Sequence, residues 1–341
     1  MSKDYITDRG FNWFIGVVED NNDPVKLGRC RVRIIGLHSS NRSIQPTDQL
    51  PWASPMQPIT SAAISGKGTT PLGVLNGTHV VGFFIDGANQ QSPVIMGTLG
   101  KLHKSKPDPS RGFSDPDGVY PIESRVGEPD TNRLARNEGL TGQSIVQRKI
   151  ETTEAEIPTA LQGKSWNEPP TPYSAEYPKN HVLETESGHV QEFDDTPEAE
   201  RIHTYHKSGT FEEIHPDGSK VDRIIGDKYE ICKKDSKVFI RGDADITTNG
   251  DAKLLVNESL AVEVSNGGIN IKIVNGDLNL NVQGGSVRSK INTDGGEVRQ
   301  DITAKNVVER IDGNKTSIVS GNCTMTSGGT FTIRGNSVRI N

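Results

Sequence analysis

The chain has 341 residues, 32% of them hydrophobic and 5% aromatic, with 36 glycines and a formal net charge of −6. That length fits two or three domains, and so few apolar side chains cannot fill one large core. No run of eighteen apolar residues occurs, no block of like charge stands out, and the three cysteines (Cys30, Cys232, Cys323) are far apart and odd in number. A membrane-spanning helix, broad attraction to nucleic acid and a disulfide framework are therefore not expected.

The start, MSKDYITDRGFNWF, has no basic stretch leading into an apolar one, so no secretory signal is expected. Residues 11–19, FNWFIGVVE, form a β-prone run, followed by a turn at Asn21-Asn22-Asp23-Pro24. In the next segment, Gly28 to His38, Cys30, Val32 and Ile34 alternate with Arg29, Arg31 and Arg33, which is the pattern of a half-buried strand. A polar loop leads to Leu50-Pro51-Trp52-Ala53. Two short strands are predicted around Asn76-Gly77, and a last one in SPVIMGTL. Five short strands without helical periodicity in residues 1–100 predict a small closed barrel of OB type, with Gly16, Gly36, Gly82 and Gly97 at its bends.

An OB barrel that binds single strands presents aromatics on a basic face. Here Phe11, Trp13, Phe14, Phe83 and Phe84 sit in apolar runs and are read as core or chain-to-chain packing. The three arginines are read as one solvated or protein-binding face, so no nucleic-acid partner is expected. GKGTT at Gly66 to Thr70 fails as a phosphate loop, because Gly68 follows Lys67 and position 61 is Ser61.

Residues 101–180 are rich in Pro, Glu, Ser and Thr and lack sustained periodicity. An extended linker is predicted, with one short helix around Thr131 to Glu138 capped by Asp130 or Thr131. Trp166, Tyr173 and Tyr177 are candidate anchors to neighbouring chains. Glu151, Glu154 and Glu156 are the carboxylates nearest to a catalytic arrangement. Glycoside hydrolysis needs two carboxylates held apart in a packed cleft, and this polar stretch cannot build one, so no catalytic residue is assigned.

From 181 onward, strand runs His181–Glu186, His189–Phe193, Arg201–His206, Phe211–His215 and Lys220–Ile225 alternate with turns at Ser187-Gly188, Asp194 to Pro197, Ser208-Gly209 and Pro216 to Gly218. His203 and His206 have a spacing seen in metal sites, but strand residues three apart point to opposite faces. They are read as polar positions on a wet strand surface. Asp243, Asp245 and Thr247 fail as a calcium loop, since Gly250 falls at the eighth position and no terminal glutamate follows. No metal or other cofactor is predicted.

After Gly226 an octad takes over: Gly242 to Gly250, Gly276 to Gly284 and Gly313 to Gly321 are each eight apart. Between them lie Ile269, Ile271, Ile273 and Leu278, Leu280, Val282, alternating with polar residues. Two or three apolar side chains per repeat cannot form a core within one chain, whereas several identical chains wound together could share them along an axis. These six residues are the candidate core of a homotrimer, and Val338 and Ile340 its candidate tip. At ~4.7 Å per repeat, about 14 repeats would make a rod on the order of 70 Å long.

The order of Gly28 to His38, Leu50 to Ala53, Gly77 to Gly87 and Pro93 to Gly97, with GFSDPDGVYP, EPDTNRLAR and the strand-turn stretch from His181, resembles the central baseplate spike proteins of contractile-tailed, T4-like phages and the VgrG-type spikes of type VI secretion systems. The resemblance implies an all-β protein: an N-terminal OB-fold barrel (1–100) docking to a baseplate hub ring, an extended linker (101–180), and a triple-stranded, intertwined homotrimeric β-helix shaft (181–341). Some such spikes carry a lysozyme domain between barrel and β-helix; none is expected here. VgrG proteins usually place a hub domain before the barrel, so the phage-type arrangement is favoured. No histidine follows His215, so the His-x-His iron apex of some spikes is not expected. A PAAR-type tip protein would cap the end instead. The resemblance further implies a place in the virion after synthesis in the host cytoplasm, with the host outer membrane as mechanical target.

Overall fold

A computed structural model describes residues 12–113, 118, 123–159, 163–285, 287–289, 291 and 298–339. The chain divides into two units, Met1–Val262 and Glu263–Asn341, and each is taken by itself.

The first unit begins with a closed barrel of five strands, β1 (Trp13–Asp20), β2 (Cys30–Ile34), β3 (Trp52–Pro55), β4 (His79–Phe84) and β5 (Pro93–Thr98), in the order β1-β2-β3-β5-β4. All pairings are antiparallel except that of β3 with β5. Alternation places Phe14, Val18, Cys30, Val32, Ile34, Ala53, Val80, Phe84 and Ile95 in one core. Val17 and Glu19 alternate with the core residues Phe14 and Val18, so with Arg33, the partner of Val17, they lie on the outer face of the barrel and are buried there. Closure is tightest at Gly82, where a Cβ would collide with the Val94 carbonyl and the Phe14 ring. The predicted strand before Asn76-Gly77 does not form. Asn76-Gly77 lies in a turn, Gly77 at φ 89°, and the remaining barrel strand is Trp52–Pro55.

Residues 123–180 are more than a linker. Helix α1 (Arg133–Arg136) is capped by Asn132, whose Oδ1 accepts from Leu134 N at 2.8 Å, rather than by Asp130 or Thr131. A second, unpredicted helix, α2 (Ile145–Glu151), is capped by Ser144. Its buried residues are Ile145 and Lys149. A lysine at i+4 of the inward stripe removes the apolar period by which a helix is recognised. A two-stranded ribbon, β6 (Ile157–Pro158) and β7 (Ser165–Trp166), follows.

The five strands predicted after 180 all form: β8 (Asn180–Glu184), β9 (Val190–Asp194), β10 (Arg201–Tyr205), β11 (Phe211–Ile214) and β12 (Lys220–Arg223). They make one antiparallel meander in sequential order. Gly188, Gly209 and Gly218 sit at φ 87°, 100° and 83° in three of its turns, a conformation that costs glycine little. Leu134 and Ile145 pack on Val190, Tyr205 and Phe211 of the sheet, with Tyr173 at the edge of the same cluster. The stretch read as a linker thus roofs one face of this sheet.

From Ile224 on, no described residue belongs to a strand or helix. In the second unit every described residue is exposed, including Ile269, Ile271, Ile273, Leu278, Leu280 and Val282 at 45–80%.

Candidate functional site

On the barrel, β1 sends its side chains two ways. Phe14 enters the core, while Trp13 and Ile15 stay exposed. Across the ladder Trp13 faces Phe83, and Ile15 faces Val81. The Trp13 and Phe83 rings meet edge-on at 6.4 Å. This gives an apolar strip on the outside, extended by Ile35, whose N–H donates to Ile15 O. The aromatic cluster therefore divides between core and outer face. Phe11 lies outside the described residues.

The three arginines do not form one solvated face. Arg29 donates to both carboxylate oxygens of Asp23, at 3.0 and 2.8 Å. Arg31 donates to the Leu50 carbonyl at 2.8 Å, with its guanidinium 4.6 Å from the Trp52 ring centre. Arg33 is fully buried and donates to Glu19 at 2.7 and 3.0 Å, and to the carbonyls of Ser39 and Gln45. Thr47 Oγ1 also donates to Glu19. Gly112 closes over this pair, and a Cβ there would collide with the Arg33 guanidinium. A buried charge needs both a partner and full hydrogen bonding. Arg33 meets that need, so it is unavailable to a ligand.

The sheet β8–β12 holds a second buried charge cluster. Glu192, Arg201, His203 and Glu213 are each no more than 3% exposed. Arg201 bridges both carboxylates, donating to Glu192 at 2.8 Å and Glu213 at 3.0 Å. His203 Nδ1 lies 2.6 Å from Glu192 Oε2, and Asn180 donates to Glu192 Oε1. From the roof, Lys149 Nζ reaches to 2.6 Å of Glu213 Oε1, and Thr171 donates to the same oxygen. Burial pushes both carboxyl groups up, but the opposing contacts win and hold each at about 2. These are the His203 hydrogen bond and Arg201 charge for Glu192, and the Lys149 charge and hydrogen bond, with Arg201, for Glu213. Burial draws Lys149 down to about 8 despite Glu213, and lowers His203 despite Glu192.

The histidines thus part company. His203 is buried inside the sheet cluster and His206 is exposed, so the pair faces opposite ways as strand geometry requires. The wet-surface reading holds for His206 and fails for His203. Arg201, His203 and Tyr205 at period two, facing Glu192 and Glu213, turn the polar set inward and leave Phe193, Ile202 and Leu183 exposed. That alternation was in the sequence, but the rule that charges face water reversed it.

Tyr173 anchors within its own chain: its hydroxyl donates to Leu134 O at 2.7 Å and its ring stacks with Arg201. Trp166 and Tyr177 are exposed. Glu151, Glu154 and Glu156 are also exposed. Among the described residues, no three His, Cys, Asp or Glu side chains converge as a metal site. Val338 is exposed, and Ile340 lies outside the described residues.

The comparisons with known proteins agree with this arrangement. The family described as the Gp5 N-terminal OB domain matches residues 36–181. Protein Gp5 of Vibrio phage KVP40 is 44% identical over 284 residues, covering 75% of this chain and 67% of the relative. The chain belongs to the Gp5 family. The pre-baseplate central spike protein Gp5 of Enterobacteria phage T4 is 49% identical over 128 residues, covering 36% of this chain and 22% of the T4 protein. The match therefore spans about a fifth of the T4 spike's length, and a larger share of the Vibrio phage protein.

Proposed function

We propose that this Gp5-family chain is the structural central spike of a contractile phage tail baseplate, a virion component that acts through stiffness. The observation that carries the reading is the second unit. Among the described residues its alternating Ile, Leu and Val side chains are exposed, which leaves a row of apolar side chains for other copies of the chain to bury. Three copies wound about one axis give each octad a shared core, so residues 181–341 serve as a homotrimeric β-helix shaft. Exposed strand edges vanish when each copy pairs with the next. The barrel, residues 1–100, docks to a baseplate hub ring, with Trp13, Ile15 and Ile35 as the docking strip. Residues 101–180 join the two. On sheath contraction the shaft is driven through the host outer membrane. A PAAR-type protein caps its end at Val338 and Ile340.

The spike role needs no active site, and the name of the T4 relative, a pre-baseplate central spike protein, supports a structural role. Clear peptidoglycan degradation by the purified chain would overturn that part. The architecture is tested by mass: the purified full chain is expected at three times its 37.1 kDa, and a monomer refutes the shaft. Removing the last octad is expected to abolish recruitment of the tip protein. Unchanged recruitment sinks the cap assignment alone.

A further inference from the structure

The buried cluster is also the place where α2 is fastened to the sheet. Lys149 is the cation that α2 contributes, and it lands on Glu213 of β11. Around His203, Glu192 and Asp194 come from β9, Arg201 from β10, Glu213 from β11 with His215 just past its end, Arg223 from β12 paired with Glu168, and Lys149 from α2. Glu192 and Glu213 are matched by Arg201 and Lys149, Arg223 by Glu168, and the buried Asp194 adds a further carboxylate.

The tautomer follows from the geometry. An ionised carboxylate only accepts, so His203 Nδ1 carries the proton directed at Glu192 Oε2. The remaining nitrogen, Nε2, is fully buried without a hydrogen-bond partner. The Tyr205 and Phe211 rings stand 5.8 Å away. A proton taken up at Nε2 would create a buried N–H without an acceptor and put a third positive charge beside Lys149 and Arg201. Both are costly in an interior.

We propose that this cluster is a proton-operated latch: the α2 roof is held on the sheet while His203 is neutral and is released when acid protonates His203. The direction is fixed by linkage. A histidine that resists protonation in the closed state binds fewer protons there than in the open state, whose imidazole titrates near 6.5. Closure is therefore complete above pH 6.5 and weakens as pH falls below it. Lys149 acts in the same sense at the other end of the scale, since the open state holds its proton longer, so closure tightens as pH rises past 8.

Hydrogen exchange on the full chain tests the latch. Amides of 145–151 are followed between pH 7 and 5, against barrel strand β1 as internal reference. Wild-type protection of α2 relative to β1 is expected to fall with pH, by at most about tenfold per unit for one proton. His203→Gln, which cannot take up the proton, is expected to flatten that fall. Constant wild-type protection over this range overturns the latch, as does an equal fall in His203→Gln. If that variant does not fold, the wild-type profile alone decides.

Discussion

At the scale of single residues, the two buried charge pairs make different demands from the apolar core. Arg33 and Glu19 are wholly buried on the outer face of the barrel, beneath Ser39, Gln45 and Gly112, and satisfy each other with two hydrogen bonds. Arg33→Met leaves a buried carboxylate, and Glu19→Gln a buried guanidinium. Each is expected to destabilise the barrel by about 3–5 kcal/mol. The double variant, Arg33→Met with Glu19→Leu, removes both charges and is expected to cost less than either single change in thermal unfolding. A double loss equal to the sum of the singles would show that the ion pair is not the relevant unit. The alternation of Arg29, Arg31 and Arg33 with Cys30, Val32 and Ile34 was legible in the sequence. The fate of Arg33 was not. It depends on Glu19, fourteen positions away, and on Ser39, Gln45 and Gly112, which cover this face of the barrel and which no local pattern announces. Glycine roles separate in the same way. At Gly82 a Cβ meets backbone and ring, whereas at Gly97 it meets nothing within 4 Å. Gly82→Ala should cost at least about 1–3 kcal/mol from overpacking, and Gly97→Ala far less. Equal melting temperatures for the two would refute the tight closure at β4.

At the scale of elements, β8 to β12 and four barrel strands were legible because turn residues and period-two alternation agree with the register that forms, whereas β3 was missed and the strand expected before Asn76-Gly77 does not form. The helices were less so. Helix α2 is held by a buried lysine and a hydroxyl cap, so its sequence, IVQRKIE, carries little of the apolar stripe that marks a helix. The roof it makes is likewise a matter of pairing across long separations, such as Tyr173 with Leu134 and Arg223 with Glu168. This dependence on charge predicts an acid limb distinct from that of His203. Glu192 and Glu213 are held at about 2 in the folded state, against an ordinary carboxyl near 4.5. Their contribution is complete above pH 4.5 and lost as pH falls from there toward 2. Melting of the sheet should therefore shift downward through that window. Glu213→Gln has one such group fewer and should show a shallower shift from a lower starting stability. An unchanged acid slope in that variant would remove Glu213 from the account.

At the scale of the whole molecule, the exposed apolar residues of the second unit set the requirement for partners. Burying one Leu or Ile is worth about 1.5–3 kcal/mol, and in a threefold shaft each position contributes three copies at one level. A charge at such a position would bring three carboxylates together in a dry axis, with neither partner nor water. Leu280→Asp is thus expected to break the assembly locally. The detergent-resistant band on an unboiled gel should be lost or weakened, and the mass of the purified chain should fall toward one copy. Asn279→Asp places the same charge one residue away, on the opposite side of the alternation and in water, and is expected to keep both band and mass. The barrel supplies the internal control: its core is made of its own residues, so hydrogen-exchange protection of β1 and β4 should be unchanged in either variant. If Leu280→Asp and Asn279→Asp behave alike, the period-two division into axis and surface is wrong at this octad. If both remain fully trimeric, the copies are held together elsewhere, and the octads are passengers rather than the shaft.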